Sequence, residues 1–486
     1  MNYRMMGRIM SQILAFEAVF MIPPIIICAY DGTVRTMYSF LIVMAASLLV
    51  AGAVFYFCRN AKKGFQAREG FVCVGLSWIL MSFVGCIPFY ISGEIPSFID
   101  ALFETASGFT TTGASILRDV EALSKGSLFW RSFTHWIGGM GVLVFLLAVA
   151  PREKKNGGFT MHLLRAESPG PIVGKLVPRI KQSAMILYIL YIILTLIDFI
   201  LLVVDPGMSA FDAICTAFGT AGTGGFAVRN SGLAYYSPYV QNVCTVFMLL
   251  FGVNFTCYYF LIMRNFRDFF KNIELRTYFG YVFVSICMIF INIRPLYDTT
   301  EEAIRHAAFQ VSSIATTTGF SSTDFDSWPS FSKTILFILM FVGACAGSTG
   351  GGFKAQRVVL LVKDLRRNIH QVMHPNEFRK VKVDGHPIDE KVLRNTGMYL
   401  TAYVLIILIS VFLISVDGFT LTTNSSAVAA CLNNIGPGFE LVGPSLNYAD
   451  YSAFSKLILI GDMLAGRLEI FPILVLFLRS TWKKSL

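Results

Sequence analysis

The eight residues Ala106-Ser-Gly-Phe-Thr-Thr-Thr-Gly113 return, closely copied, as Ser312-Ser-Ile-Ala-Thr-Thr-Thr-Gly319. Each copy follows an amphipathic stretch and lies between two long apolar runs. Two weaker relatives stand in the same setting, Ala217-Phe-Gly-Thr-Ala-Gly222 and Cys431-Leu-Asn-Asn-Ile-Gly436. Such a chain is expected to form four hairpins, each returning one loop into an apolar layer. Backbone at membrane depth that is not helical survives only where it is buried in protein or lines a water-filled cavity. Four loops around one axis therefore line a pore. Thr-Thr-Thr-Gly suits that place, because successive carbonyls can replace the hydration shell of a cation and glycine reaches backbone conformations that other residues resist.

Composition points the same way. Hydrophobic residues make up 55% of the 486, charged residues 14%, and mean hydropathy is +0.62, the profile of a polytopic membrane protein rather than a soluble core. Apolar runs long enough to cross a bilayer lie near 10–30, 37–58, 70–91, 127–150, 183–204, 238–263, 276–294, 332–362, 395–416 and 454–479. They predict about ten transmembrane helices. The net charge of +10 does not indicate nucleic acid, since the cations sit between the runs. Arg59, Lys62, Lys63 and Arg68, then Arg152 to Lys181, then Arg264, Arg267, Lys271 and Arg276 fall on one side, as does the polar segment 363–394. By the positive-inside rule that side is cytoplasmic, with both termini on it. The ten cysteines lie mostly within apolar runs and form no Cys-x-x-Cys pair, which reads as packing rather than a disulfide framework or zinc ribbon. The N-terminal run exceeds a signal-peptide core and reads as a retained first crossing.

In order, 1–69 is a helical pair with no loop. Residues 70–150 form a first repeat of crossing, short helix at about 97–108, loop and crossing; 183–263 form a second, 276–362 a third with a broken exit helix, 363–394 a cytoplasmic connector, and 395–486 the fourth. The second loop has two possible registers. Aligning Phe218 with Phe109 selects Gly222, the preferred choice; aligning Asp212-Ala213 with Asp100-Ala101 selects Gly225.

The exit helix of the third repeat contains Gly343, Gly347, Gly350, Gly351 and Gly352 together with Ser348 and Thr349. Each interior glycine costs a helix roughly 1 kcal/mol against alanine, so an irregular stretch is expected there; tight packing by small residues is the rival. A phosphate-binding loop is excluded because Gly352 precedes Phe353-Lys354-Ala355. His370, His374 and His386 lack an acidic or Cys partner at helical spacing, which argues against a metal site. Arg467 lies midway along the last apolar run, where a cation is expensive and marks function, unless it forms an internal ion pair with Glu469 or Asp462.

Together, the Thr-Thr-Thr-Gly pair, Asn433-Asn-Ile-Gly-Pro-Gly438, Ala344-Cys-Ala-Gly-Ser-Thr-Gly-Gly-Gly352 and Gly466-Arg-Leu-Glu-Ile-Phe471 resemble the Trk/Ktr/HKT superfamily of potassium transporters, and within it the bacterial TrkH-type membrane subunits. The likeness runs along essentially the whole chain, with the motifs in the family's order. It implies an all-α polytopic membrane protein with four non-identical helix–pore loop–helix repeats around one pore, preceded by an extra helical pair. It implies a potassium-binding filter of Thr110, Thr111, Thr112 and Gly113; Thr220, Ala221 and Gly222; Thr316, Thr317, Thr318 and Gly319; and Asn433, Asn434, Ile435 and Gly436. Below it, Gly347, Ser348, Thr349, Gly350, Gly351 and Gly352 would form a mobile gate together with Arg467. K+ is then the transported ion, with no organic cofactor and no enzymatic activity. The resemblance further implies a homodimer in the bacterial inner membrane and a cytosolic TrkA-like nucleotide-binding regulatory ring. A secondary transporter coupled to protons or sodium is the rival class, since broken helices mark it too. A sodium-selective relative is the other: in plant members serine at the first filter glycine accompanies sodium transport, and here that position is Gly113.

Overall fold

The computed structural model describes residues 1–61, 67–139, 141, 180–377 and 379–482. The chain is predominantly helical. Helices α1 (Tyr3–Phe20), α2 (Ile22–Asp31) and α3 (Val34–Cys58) form the N-terminal group; Pro23 and Pro24 open α2, where a missing N–H costs nothing. Next come α4 (Ala67–Ser92), α5 (Phe98–Phe109) and α6 (Lys125–Gly139). After the undescribed stretch follow α7 (Ile180–Val203), α8 (Ala210–Gly222), α9 (Pro238–Phe251), α10 (Phe255–Ile262) and α11 (Phe266–Lys271). The chain continues with α12 (Ile273–Ile293), α13 (Thr300–Ala315), α14 (Ser330–Val342) and α15 (Ala355–Met373). A two-stranded hairpin, β1 (Lys382–Val383) against β2 (His386–Pro387), precedes α16 (Glu390–Ile414), α17 (Leu421–Leu432), α18 (Ala453–Arg467), α19 (Phe471–Phe477) and α20 (Arg479–Trp482).

Among the described residues six helices are long and apolar enough to cross a membrane, or seven if α9 and α10, bent by 90° to one another, count as one span. Among the described residues, the run at 10–30 passes from α1 to α2 at Met21, and three further runs are broken more widely. The run at 238–263 turns at Gly252-Val253-Asn254, where the Asn254 side chain caps α10. The run at 332–362 breaks after Val342, where Gly343 takes φ +71°, and helix resumes only at Ala355. The run at 454–479 breaks at Leu468–Ile470, with Glu469 and Ile470 at φ +57° and +64°. The half of the 127–150 run beyond residue 141, Lys62 and Lys63, and the cations from Arg152 to Arg179 lie outside the described residues.

The largest core gathers Trp78, Trp130, Phe40, Phe103 and Phe109 from α3 to α6 with Leu459 and Met463 of α18. Large apolar side chains also cover the outside of the long helices: Leu49 and Phe57 on α3, Phe283 and Ile291 on α12, and Leu408 and Phe412 on α16 are all exposed. A water-soluble protein would not present so wide an apolar surface, and in lipid it needs no cover. The chain is a multi-pass membrane protein.

Four short helices stop inside this shell. Each starts at a hydroxyl that accepts from the backbone N–H three residues on: Ser97 for α5, Ser209 for α8, Thr299 for α13 and Thr420 for α17. These caps satisfy one of the free N–H groups of a helix start. Helices α5, α13 and α17 end within the stretches singled out from the sequence, whereas α8 runs through its stretch to Gly222.

Candidate functional site

The four loops share one backbone. Each short helix closes with the same pair of turns: Thr111 N to Gly108 O with Thr112 N to Ser107 O; Thr223 N to Thr220 O with Gly224 N to Gly219 O; Thr317 N to Ile314 O with Thr318 N to Ser313 O; Asn434 N to Cys431 O with Ile435 N to Ala430 O. The distances span 2.8–3.2 Å. A left-handed residue follows in each loop, at Thr111, Thr223, Thr317 and Asn434 with φ between +53° and +60°, and a second two places on, at Gly113, Gly225, Gly319 and Gly436. Left-handed backbone in threonine is strained, and here it recurs at equivalent positions.

This pattern corrects the second loop. Gly222 is the last residue of α8, packed with its Cα against the His135 backbone carbonyl, and Thr220 and Ala221 lie inside the helix. The residues in register are Gly222, Thr223, Gly224 and Gly225, the choice selected by aligning Asp212 with Asp100. Helix capping explains it: Ser97, Ser209 and Thr420 each precede their glycine by 16 residues. Phe218 matches Ala106, not Phe109, so the aromatic match was fortuitous.

The glycines close the loops into a ring. A Cβ on Gly113 would fall 2.0 Å from Gly224 O, on Gly225 2.1 Å from Thr318 O, on Gly319 1.9 Å from Ile435 O, and on Gly436 2.7 Å from Thr112 O. Every loop thus lays its glycine against the carbonyl just ahead of the next loop's glycine, and the fourth returns to the first. The same four glycines line one cavity of about 180 Å³ on the side where the loops leave the ring. The helix C-termini converge on these loops, and that end of a helix dipole favours a cation. In both Thr-Thr-Thr-Gly copies the outer hydroxyls are paired, Thr110 Oγ1 with Thr112 Oγ1 and Thr316 Oγ1 with Thr318 Oγ1 at 2.8 Å each. Asn433 Oδ1 accepts from Tyr403 at 2.7 Å, and Asn434 Nδ2 donates to Thr112 Oγ1 at 2.9 Å, a side-chain link from the fourth loop to the first.

The irregular stretch Gly343–Lys354 lies directly against this ring. Gly351 N donates to Thr317 Oγ1 at 2.6 Å, and a Cβ on Gly351 would meet Asn433 O at 2.5 Å. Its outer edge is tied to neighbouring elements: Cys345 N to Gly252 O at 3.1 Å, Phe255 N to Gly347 O at 3.0 Å, and Ala346 N to the Glu274 carboxylate at 2.5 Å. Ser348 turns back on Cys345 O at 2.6 Å and Thr349 Oγ1 donates to Phe251 O at 3.2 Å. Arg467, at the end of α18, donates to Thr349 O at 2.8 Å, to Gly139 O at 2.6 Å and to Gly138 O. It therefore joins the irregular stretch to the end of α6. The acidic groups proposed as partners are engaged elsewhere: Glu469 pairs with Arg357, which also lies 3.9 Å over the Tyr399 ring, and Asp462 accepts from Ser410 at 2.7 Å.

Gly225 entered the sequence reading only as the alternative register, and several contributors escaped it: Thr223 and Gly224 in the second loop, Lys354, whose buried Nζ donates to Gly350 O, and Arg131, Glu104 and His135 behind the ring. The last three carried a usable signal, polar groups within or beside apolar runs. His370 and His374 face each other at 4.6 Å between ring centroids, and no group of three potential metal ligands occurs among the described residues.

Comparison with known proteins agrees with this geometry. A family model named TrkH and described as a cation transport protein matches residues 37–484. The Trk system potassium uptake protein TrkH of Salmonella typhimurium is 34% identical over the full length of both chains, and the potassium uptake protein TrkG of Escherichia coli is 32% identical over 95% of each. The crystal structure of the potassium transporter TrkH from Vibrio parahaemolyticus superposes with a TM-score of 0.88 at 31% identity, covering 99% of this chain and 100% of the other. Full-length kinship, the shared fold and the ring of four loops together place the chain in the TrkH family of cation transport proteins.

Proposed function

We propose that this chain is the membrane subunit of a potassium uptake system, with four helix–loop–helix repeats around one conduction path and the four loops as its selectivity filter. The observation that carries the reading is the closed ring, in which Gly113, Gly225, Gly319 and Gly436 each abut a neighbour's carbonyl. Thr111–Thr112, Thr223–Gly224, Thr317–Thr318 and Asn434–Ile435 then supply backbone carbonyls that replace the hydration shell of K+. The protein supplies oxygen ligands and a path, and K+ is cargo rather than cofactor.

Below the filter, Gly347–Gly352 and Arg467 act as the gate. The glycine-rich stretch touches the third and fourth loops, and Arg467 holds it to α6; a guanidinium beside the path repels a passing cation. At an effective dielectric near 20, a charge about 4 Å from the ion costs on the order of 4 kcal/mol. Opening requires the Arg467 bonds to Thr349, Gly138 and Gly139 to be exchanged for others. A cytosolic nucleotide-binding ring, docked on the basic inner face, biases that exchange. The assembly is a homodimer in the bacterial inner membrane, both termini cytoplasmic and the loops entered from outside. Fourfold rather than twofold recurrence of the loop favours a single filter-lined pore over alternating access.

Rubidium and sodium uptake into vesicles containing purified protein tests the filter. Gly113→Ser should admit sodium, because the added atoms fall on Gly224 O. Folded protein with an unchanged ratio would remove Gly113 from the filter.

A further inference from the structure

Helix α6 presents two polar side chains one turn apart, Arg131 and His135, both buried, toward the first two loops. The Arg131 guanidinium pairs with Glu104 of α5 at 2.8 Å through Nε and 2.7 Å through Nη2, donates to Ala227 O at 3.2 Å, reaches Ser115 Oγ at 3.4 Å, and lies 4.0 Å over the Phe226 ring. Glu104 accepts in addition from Ser115 Oγ at 3.0 Å and Ile116 N at 3.0 Å. One turn along, His135 Nδ1 bonds Gly108 O at 2.8 Å while its Nε2 accepts from Phe226 N at 3.2 Å. A backbone N–H can only donate and a carbonyl can only accept, so these two partners fix the neutral Nδ1–H tautomer. Phe226 and Ala227 directly follow Gly225, and Ser115 and Ile116 follow Gly113, so Arg131 bridges the exits of two neighbouring loops, while His135 ties the end of α5, just before the first loop, to the exit of the second. Tyr448 extends the network to a third loop, its N donating to Ser115 O at 2.9 Å and its hydroxyl to Gly436 O at 2.7 Å.

In the loop register Glu104 matches Thr216, Gln310 and Ala427, none of which carries a charge. In the third loop Gln310 Nε2 bonds Thr323 O at 3.2 Å, and in the fourth Ser426 Oγ accepts from Phe439 N at 3.0 Å. Both tie a loop only to its own helix. A buried pair adds little stability over well-packed apolar groups of the same volume, so holding α5 against α6 does not explain it. Its distinctive product is a fixed separation between the first and second loops.

We propose that Arg131, Glu104 and His135 are positioning residues of the ring, which touch no ion but set the spacing of the first two loops and hence discrimination between potassium and sodium. The inference rests on the filter reading above. The test uses full-length protein reconstituted in vesicles and compares the rubidium-to-sodium uptake ratio of the parent, Glu104→Leu/Arg131→Met, His135→Gln and Gly113→Ser. The double replacement leaves no lone buried charge, and its ratio should fall about tenfold, the scale of one lost anchoring interaction, with a smaller fall for His135→Gln. If Gly113→Ser lowers the ratio and both other folded variants keep the parental value, the positioning role is wrong and the filter reading stands. If Gly113→Ser also leaves it unchanged, the filter reading fails first. If the double variant does not fold, a folded His135→Gln decides by the same ratio, and failure of both to fold assigns these residues to structure alone and overturns the proposal.

Discussion

The ring and the layer beneath it touch, yet they are built on opposite principles. In the ring four sequences, Thr-Thr-Thr-Gly twice, Gly222-Thr-Gly-Gly225 and Asn433-Asn-Ile-Gly436, give one backbone geometry with the same two turn hydrogen bonds. In the layer beneath nothing is repeated: one glycine-rich stretch from the third repeat is held by Arg467 from α18, Glu274 from α12, its own Lys354, and backbone of α6 and α9. Backbone held by turn bonds within each loop and packed glycine against carbonyl around a closed circle has little room for a second arrangement, as the proposed ion-sized site requires. Long side chains bonded to carbonyls can exchange one acceptor for another, as the proposed gate requires. The contrast implies that ring substitutions change which ion passes, whereas substitutions in the layer beneath change how fast.

The strongest way to break that contrast is Arg467→Ala. Removing a barrier on the order of 4 kcal/mol raises occupancy of that point up to roughly a thousandfold, so basal rubidium uptake should rise steeply, lose its dependence on a regulatory partner, and keep its ratio over sodium. Loss of folded protein in both Arg467→Ala and Arg467→Lys would instead make Arg467 a structural clamp on the carbonyls of Thr349, Gly138 and Gly139. Arg467→Lys keeps the charge but not the planar fork that spans three carbonyls, and its basal flux should fall between parent and alanine variant. Gly347→Ala should alter rate without altering selectivity, since Gly347 takes φ +70° and a Cβ there would meet Asn254 Oδ1 at 3.1 Å rather than any residue of the ring; a changed ratio with an unchanged rate would erase the division between the two layers. The smallest effect belongs outside both. Glu440 accepts from the Thr423 hydroxyl at 2.7 Å and from Thr420, and these bonds hold its carboxyl below the usual range. A carboxylate lowered in the folded state contributes stability at neutral pH that is lost as acidification passes its folded value. Glu440→Gln should therefore melt slightly below the parent at pH 7, with the gap closing only below the ordinary carboxylate range of about 4.3; a gap that closes at pH 6 would contradict this.

What was legible in the sequence follows from local chemistry. Gly343–Gly352 announced its break because glycines cannot sustain a helix, and the first, third and fourth loops announced themselves by their own strings. The breaks at Val253–Asn254 and Leu468–Ile470 were hidden. Asn254 is an ordinary cap residue, and Ile470 takes φ +64° despite its branched side chain, a conformation that packing imposes and composition does not signal. The second loop was misread by three residues because Phe218 offered a more conspicuous match than the Ser209–Asp212 cap. Arg131 obeys the same rule as Arg467, but its partner Glu104 lies in the short helix between two runs, and only the fold brings them together.

The central claim is that four loops, with Gly225 as the second loop's member, make one ring that selects the ion. Its most direct test is the rubidium-to-sodium uptake ratio of Gly225→Ser in reconstituted vesicles. A Cβ there would fall 2.1 Å from Thr318 O, so the ratio should drop about tenfold or more in folded protein, as for Gly113→Ser. A folded Gly225→Ser protein with the parental ratio would contradict the ring.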